Sequence, residues 1–438
     1  MSKNVLIIGG NGREHALAWK ISQSPLLGSL YVAPGNAGTG LLAQNVAINV
    51  MDTKGLLRFA ESHAIDLTIV GPDDPLAAGI VDAFQEKGLK IFGPTKTAAQ
   101  IEWSKAFAKQ LMKLAKIPTA NFKTFDSYFL ALQYANQHGA PIVIKASGLA
   151  LGKGVYICKT LMEAIEALRN IMVRKIHKQA GQEVVIEDFL TGQEVSIHAF
   201  CDGHSFKLFP VAQDHKPIFD HDQGPNTGGM GTISPLPWFT PETLKQVGEE
   251  IVQPTLRYMA AEGRPFTGLL YPGLMMTPDG IKVLEYNARF GDPEAMNILP
   301  LLQTDFVDIC EAIINGALDR LPVTFDKKAT VCKYIVPKGY GLPKDHPDAQ
   351  STAARIEVGD TGQARLYYSS VDQKDDGLYM TTSRAIGVVG VADNLHDAEV
   401  MAENAVAAVR GPVAHRPDIG TAALIQKRID HMRKIRKE

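Results

Sequence analysis

Short apolar runs alternate with amphipathic stretches through the first hundred residues. The runs 5–8, 30–33, 46–48, 67–70 and 91–92 are rich in Val, Ile and Leu, and segments such as 55–63 and 76–87 between them place apolar residues at helical spacing. Unbroken apolar runs, as opposed to alternating ones, fit strands covered on both faces. Strand, helix, strand in repetition predicts a doubly wound parallel sheet over 1–103. The pattern then changes to an α+β unit over 104–325. It opens with a helix at 104–115, continues with extended runs at 142–146, 183–190, 194–201 and 206–211, and closes with helical patterns at 241–262, 293–301 and 304–316. A third, β-rich unit over 326–438 has apolar runs at 329–336, 365–371 and 378–391, a helix at 396–409 and a basic terminal helix. In that last helix Leu424, Ile425, Ile429, Met432 and Ile435 share one face. Its lysines and arginines read as a solvated face.

At about 150 residues per domain, the 438 residues fit roughly three domains, in agreement with the pattern. A formal net charge of −2 supplies no bulk positive field for nucleic acid or an anionic membrane, and no apolar run is long enough to span one. Any phosphate chemistry must therefore be local. The four cysteines, Cys158, Cys201, Cys310 and Cys332, have no metal-binding spacing and fit buried thiols in a reducing compartment, so a cytoplasmic protein is expected. The 39 glycines and 25 prolines exceed the ordinary share and direct attention to loops.

Three loops follow strands of the first unit, where ligands of parallel sheets sit: 9–12, 34–38 and 71–75. A dinucleotide fingerprint fails, because His15 stands where its third glycine belongs and the second strand ends in Ala33-Pro34, not in an acid. A phosphate on the helix start at Gly12, aided by Arg13, remains open. The run Lys145, Gly148, Gly152, Lys153, Gly154 resembles a P-loop but leads into a strand, which makes it a glycine-rich hairpin able to fold backbone N–H groups over a polyphosphate. Glu187 ends a strand shortly before Glu194, a place where backbone groups could meet an adenine edge and a carboxylate the ribose. The stretch 214–231 is dense in carboxylates, imidazoles and glycines with little to bury, as expected of a substrate loop. In 283–294, Glu285, Asn287 and Arg289 would alternate onto one face of a strand. Two hard oxygen donors and a guanidinium suit a divalent cation bridging phosphates.

Taken together, Lys105, Lys145 before a glycine flap, the Glu187 and Glu194 pair and the Glu285-x-Asn287 strand resemble the ATP-grasp ligases. The stretches 12–19, 34–38, 93–95, 104–107, the flap, 224–231 and 289–294 are similar to the phosphoribosylamine–glycine ligase family within them. The resemblance implies an α/β and α+β multidomain ATP-grasp fold: an N-terminal parallel-sheet domain, an ATP lid at about 120–190, a central domain and a C-terminal β-rich domain. It implies ligation of glycine to 5-phosphoribosylamine with ATP, through a glycyl phosphate, in purine biosynthesis. Lys105, Lys145, Gly148, Gly152, Lys153 and Gly154 would hold ATP phosphates, Glu187 with the backbone of Phe189 and Leu190 the adenine, Glu194 the ribose, and Glu285 and Asn287 Mg²⁺ or Mn²⁺. Arg289 and Lys145 would act on the transferring phosphoryl group. Gly12, Arg13, Asn36, Asp73, Asp214, Lys216, Asn226, Thr227, Gly228 and Asp292 would bind substrates. A monomer is expected, with neither nucleic acid nor membrane as partner. The chain departs from the family pattern at Asp73, at Met296, at 367–370 and at Thr382-Ser383-Arg384. A divergent ATP-grasp ligase joining another acid and amine is the alternative these positions leave.

Overall fold

The computed structural model describes residues 2–150, 154–342, 346 and 353–437. Its first sheet is parallel, in the order Gln44–Asn45, Leu27–Pro34, Lys3–Gly9, Leu67–Val70, Ile91–Phe92. Val5, Leu6, Ile7 and Ile8 are fully buried, which explains why that run is apolar at every position and not at alternate ones. The strand expected at 46–48 lies slightly earlier, at Gln44–Asn45. The Val46 N–H still bonds to Val32 O, but beyond it the Ile48 N–H turns back onto Val46 O and the chain leaves the sheet. The helical pattern 76–87 resolves into Asp73–Ala78 and Ile80–Glu86, broken at Gly79, whose φ of 94° is one that glycine adopts at little cost.

The three glycine loops of this unit converge on protein groups. Glu14 caps its own helix by accepting the Asn11 N–H at 2.7 Å, and it pairs with Arg13 Nε at 2.6 Å. A Cβ on Gly9 or Gly71 would overlap the Glu14 side chain, so these glycines make room for a buried carboxylate. The Arg13 N–H at the helix start donates to Asp292 Oδ2 at 3.1 Å. The phosphate position envisaged at this helix start is thus filled by two protein carboxylates. Gly12 packs beneath Tyr334 and Met296. Asn36 spends its amide on Gly10 O, Tyr368 O and Ser369 O, and its Oδ1 accepts from Gly38 N and Thr39 N. Neither Gly12 nor Asn36 is among the residues lining the main cavity; both make contacts at the joint between the first and last units.

The central antiparallel sheet runs Gln193–Ser196, Thr267–Thr277, Ala199–Asp202, Phe206–Leu208, with Gly280–Asn287 also paired to the long strand Thr267–Thr277. The lid is a four-stranded sheet in the order Phe122–Phe125, Val184–Asp188, Ile142–Ala146, Val155–Cys158. Its helices Tyr128–His138 and Leu161–Leu168 bury Ala131, Ala135, Ala164 and Leu168 in an apolar cluster separate from the main core. The strands that flank the expected glycine flap, Ile142–Ala146 and Val155–Cys158, pair antiparallel; Gly152 and Lys153 of the flap itself lie outside the described residues.

The C-terminal sheet has the order Gln213–Asp214, Gly231–Ser234, Ala329–Pro337, Ile386–Ala392, Arg365–Tyr368. Both roots of the loop 214–231 are therefore strands of this sheet, although in sequence the loop lies well before it. The final helix Ala422–Arg436 buries Leu424, Met432 and Ile435. Its basic face is only partly solvated, because Arg428 pairs with Asp222 and Arg436 donates to Trp238 O. All four cysteines are buried free thiols, and among the described residues no helix is long and apolar enough to cross a membrane.

Substituting Gly71 by Ala should drive a methyl group into the Glu14 carboxylate and cost about 1–3 kcal/mol, the usual range for overpacking. A lowered urea midpoint checks this; an unchanged one would show that Glu14 can move aside freely.

Candidate active site

A cavity of about 500 Å³ opens between the lid, the central sheet and the loop 214–231. Its cations come from separate elements. Ser104 caps the helix Lys105–Leu114 by accepting the Phe107 N–H, and the helix presents Lys105 and Lys109 one turn apart. Lys145 stands on the lid strand Ile142–Ala146, opposite Val185, which places Glu187 diagonally across on the same face. Glu187 lies between Lys145 at 2.9 Å and Lys109 at 2.8 Å. Burial alone would raise its carboxyl, yet the two lysines pull it below the usual range. Its oxygens are occupied by ammonium groups, so in this structure Glu187 sets the lysines and does not face an adenine.

Lys145 also donates to Leu284 O at 2.9 Å. Leu284 has no partner in the ladder between Gly280–Asn287 and Thr267–Thr277, where the register shifts from Leu274 opposite Val283 to Gly273 opposite Glu285. This bulge frees the Leu284 carbonyl for the lysine. Beyond it Glu285 and Asn287 alternate into the cavity. Burial would raise the Glu285 carboxyl, but Lys216, Lys145, Lys105 and Arg289 together hold it below the ordinary value. The strand stops at Asn287, so Arg289 does not share its face as the alternation suggested. It enters from the following turn, held by Glu102 at 3.0 Å, and donates to Asn287 Oδ1 at 3.1 Å.

Across the cavity lies the loop. Lys216 pairs with Glu194 at 2.8 Å, which raises its ammonium well above the ordinary value. The Asp214 carboxyl is pushed well above its usual range by burial and by the nearby Glu294, against the pull of Lys216 and Arg384. Thr227 ties the loop back to Lys216 O through its hydroxyl and its N–H. Arg384 crosses from the C-terminal sheet to Gly228 O at 2.6 Å, Asp292 O at 2.9 Å and Asp292 Oδ1 at 3.2 Å, stacked over Tyr334. Thr382 and Ser383 before it form their turn without a left-handed φ.

The cavity thus brings together Arg13, Asp73, Lys105, Lys145, Gly154, Glu187, Phe189, Leu190, Glu194, Asp214, Lys216, Asn226, Thr227, Gly228, Glu285, Asn287, Arg289 and Asp292. Gly12, Asn36 and Gly148 are not part of its wall; Gly148 packs against Ala180, with its carbonyl toward Lys105 Nζ at 3.4 Å. Sequence reasoning missed Glu102, Lys109 and Tyr271 and made no use of Glu294 or Arg384. Lys109 was discoverable, since it follows Lys105 at helical spacing. Glu102 had no such signal. Burial pushes its carboxyl up to about 6, against the pull of Arg289. Among the described residues no cluster of three or more His, Cys, Asp or Glu could hold a metal alone. Glu285 and Asn287 fit a hard cation that takes its other ligands from phosphate and water.

Family models of phosphoribosylglycinamide synthetase match the chain in three parts: the N domain over 3–102, the ATP-grasp (A) domain over 103–295 and the C domain over 330–422. The phosphoribosylamine–glycine ligase of Vibrio vulnificus is 43% identical over 97% of this chain and 99% of its own length. That of Rhodopirellula baltica is 42% identical over 97% and 99%. The crystal structure of the Thermotoga maritima phosphoribosylamine–glycine ligase superposes with a TM-score of 0.82 at 30% identity, covering 95% of this chain and 99% of that one. The biotin carboxylase domain of a Hydrogenobacter thermophilus 2-oxoglutarate carboxylase, solved with MgADP and bicarbonate, has the same fold at 17% identity and a TM-score of 0.72, covering 95% and 92%. With all three domain models matched in order and such identity over nearly the full length, the chain belongs to the phosphoribosylglycinamide synthetase family.

Proposed function

We propose that this chain is an ATP-dependent carboxylate–amine ligase of purine biosynthesis that joins glycine to 5-phosphoribosylamine, giving glycinamide ribonucleotide, ADP and phosphate. The observation that carries the reading is the convergence of Lys105, Lys145, Glu285, Asn287 and Arg289 on one cavity, in a chain whose relatives are named for that ligation. A carboxylate is a poor acyl donor. Glycine must first accept the γ-phosphoryl group, its carboxylate oxygen bonding to phosphorus as ADP leaves. The amine then attacks the acyl carbon, phosphate departs and the nitrogen loses a proton.

In this reading Lys105 and Lys145 bind the ATP phosphates, and Arg289 faces the charge that builds on the transferring group. Lys109 and Glu187 fix Lys145. Val143, Val155, Ile157, Met275 and Leu284 offer apolar walls to adenine, with backbone at Phe189 and Leu190 beside its edge and Glu194 toward the ribose. Glu285 and Asn287 would hold Mg²⁺ or Mn²⁺, which supplies neutralisation of phosphate oxygens when bound. Asp214, Lys216 and the backbone of 226–228 receive the substrates from the opposite side, with Arg13 and Asp73 at the N-terminal rim. The loop 214–231 would help to keep water from the acyl phosphate, a role the resemblance also gives to the flap. The chain divides into 1–103, 104–325 with the lid, and 326–438, and works as a cytoplasmic monomer without nucleic-acid or membrane partners.

ADP formation should require glycine and phosphoribosylamine together, and the gene should rescue a purine auxotroph lacking this step. Turnover with a different acid or amine only would overturn the reading. Glu285→Ala should lower kcat by about 10²–10³ while ADP affinity measured without metal changes by no more than about threefold. Comparable loss of ADP affinity would remove Glu285 from the metal role. Because the Glu102 carboxyl titrates near 6, its negative charge is present above that pH and lost as pH falls through it. Log kcat should therefore decline on the acid side of pH 6 as Arg289 loses its partner. Glu102→Gln should give a low kcat with that limb absent; a limb that persists would assign it to another group.

A further inference from the structure

The loop 214–231 carries a strained turn at its tip. His221 and Asp222 have φ of 61° and 63°, two successive residues in the left-handed region, which non-glycine residues occupy infrequently and at some cost even where His and Asp enter it more readily than most. What holds them there is visible. Arg416, almost fully buried, grips Asp418 through Nε at 2.9 Å and Nη2 at 2.8 Å. Its Nη1 donates to Pro217 O at 3.0 Å, and both Nη atoms reach Asp222 Oδ1 at 3.3 Å. Asp418 accepts the His221 N–H at 2.8 Å, Arg428 pairs with Asp222 Oδ2 at 2.8 Å, and Lys427 donates to His221 O at 3.2 Å. Asp220 also shares a hydrogen bond with Asp418. One buried guanidinium thus joins Asp222 of the tip to Asp418; without it Asp418 would lose its cation and Asp222 would keep only Arg428 and Lys427, which weakens the hold on the tip.

We infer that Arg416 is a positioning residue for the substrate side of the reaction: it latches the tip of the loop to the C-terminal unit and so fixes Asp214, Lys216 and 226–228 at the cavity. The latch acts from outside the cavity, since Arg416 forms no part of the cavity wall. The loop roots are strands of the C-terminal sheet and the latch grips its tip, so the loop is fastened to that unit at both ends. Lys105, Lys145 and Glu187 stand on other elements and do not depend on it. The inference rests on the ligase reading for its kinetic consequence, but its structural consequence can be read without any turnover.

The test compares the full-length wild type with Arg416→Met, Asp222→Asn and the double variant Arg416→Met, His221→Gly. Arg416→Met should raise the KM for glycine or for phosphoribosylamine about tenfold or more, as expected when a truncated partner leaves charges unpaired. The Kd for ADP should stay within about twofold, and amide exchange should quicken in 214–231 but not in the lid. Asp222→Asn, at a partly solvated position, should act in the same direction more weakly, and it serves if Arg416→Met fails to fold. Glycine at position 221 relieves the left-handed strain and should recover about threefold to fivefold of the lost kcat/KM. Unchanged exchange in 214–231 would overturn the latch. So would KM values and ADP affinity that worsen in parallel, or failure of the glycine to rescue. A wild type without glycine-dependent turnover would instead overturn the ligase reading, and the exchange measurement would still decide the latch.

Discussion

The Asp292 carboxylate holds the architecture to a single shape. Its Oδ2 accepts the Arg13 N–H from the first helix of the parallel sheet, and its Oδ1 accepts the Tyr334 hydroxyl at 2.9 Å and faces Arg384, both from the C-terminal sheet. Asp292 itself follows the central strand that carries Glu285 and Asn287. One mostly buried charge thus gathers donors from three units, and a buried carboxylate is tolerable only when its oxygens are met in this way. The consequence is geometric. Arg13, Arg289 and Arg384 are brought to one rim, and none of the three units can shift without leaving a charge unmatched.

The same economy governs the cavity. The chain as a whole is nearly neutral, yet the cavity wall alternates cations and carboxylates at ion-pair distance: Lys109 and Lys145 with Glu187, Lys216 with Glu194, Arg289 with Glu102. Each of these paired cations arrives already oriented by a partner, so little reorganisation of them is needed when a polyphosphate enters. Glu285 has several cations around it, no ion pair of its own among the described residues, and a place in the cavity wall.

Much of this was legible in the sequence. The strand runs follow from the apolar pattern, and Lys145, Glu285 and Asn287 are singled out by local spacing, because those interactions are short-range; Lys105 is named only through the resemblance to the ATP-grasp ligases. Long-range contacts were not legible. Nothing near Glu102 announces that it will meet Arg289, and nothing near Gly12 shows that Tyr334 lies beneath it. The glycine loop 9–12 is ambiguous for a related reason: glycines that can surround a phosphate can equally make room for the Glu14 carboxylate, and that second use of Gly9 shows only in the fold. The basic run of the last helix likewise reads as solvated until Asp222 is placed beside Arg428.

The division of apolar cores determines where the molecule can yield. The first and central sheets and the strand Ala329–Pro337 share one continuous core, whereas the lid buries its own small cluster. The lid therefore meets the body largely through polar contacts: Lys145 on Leu284 O, the Lys105 N–H on Ser147 O, and Thr119 on Val283 O at 2.7 Å. Polar contacts exchange with water or phosphate at small net cost, while a split apolar core does not. The lysines that tether the lid are the same ones that face the cavity. Lys145 thus joins the lid to the central sheet through the Leu284 carbonyl while lining the cavity itself.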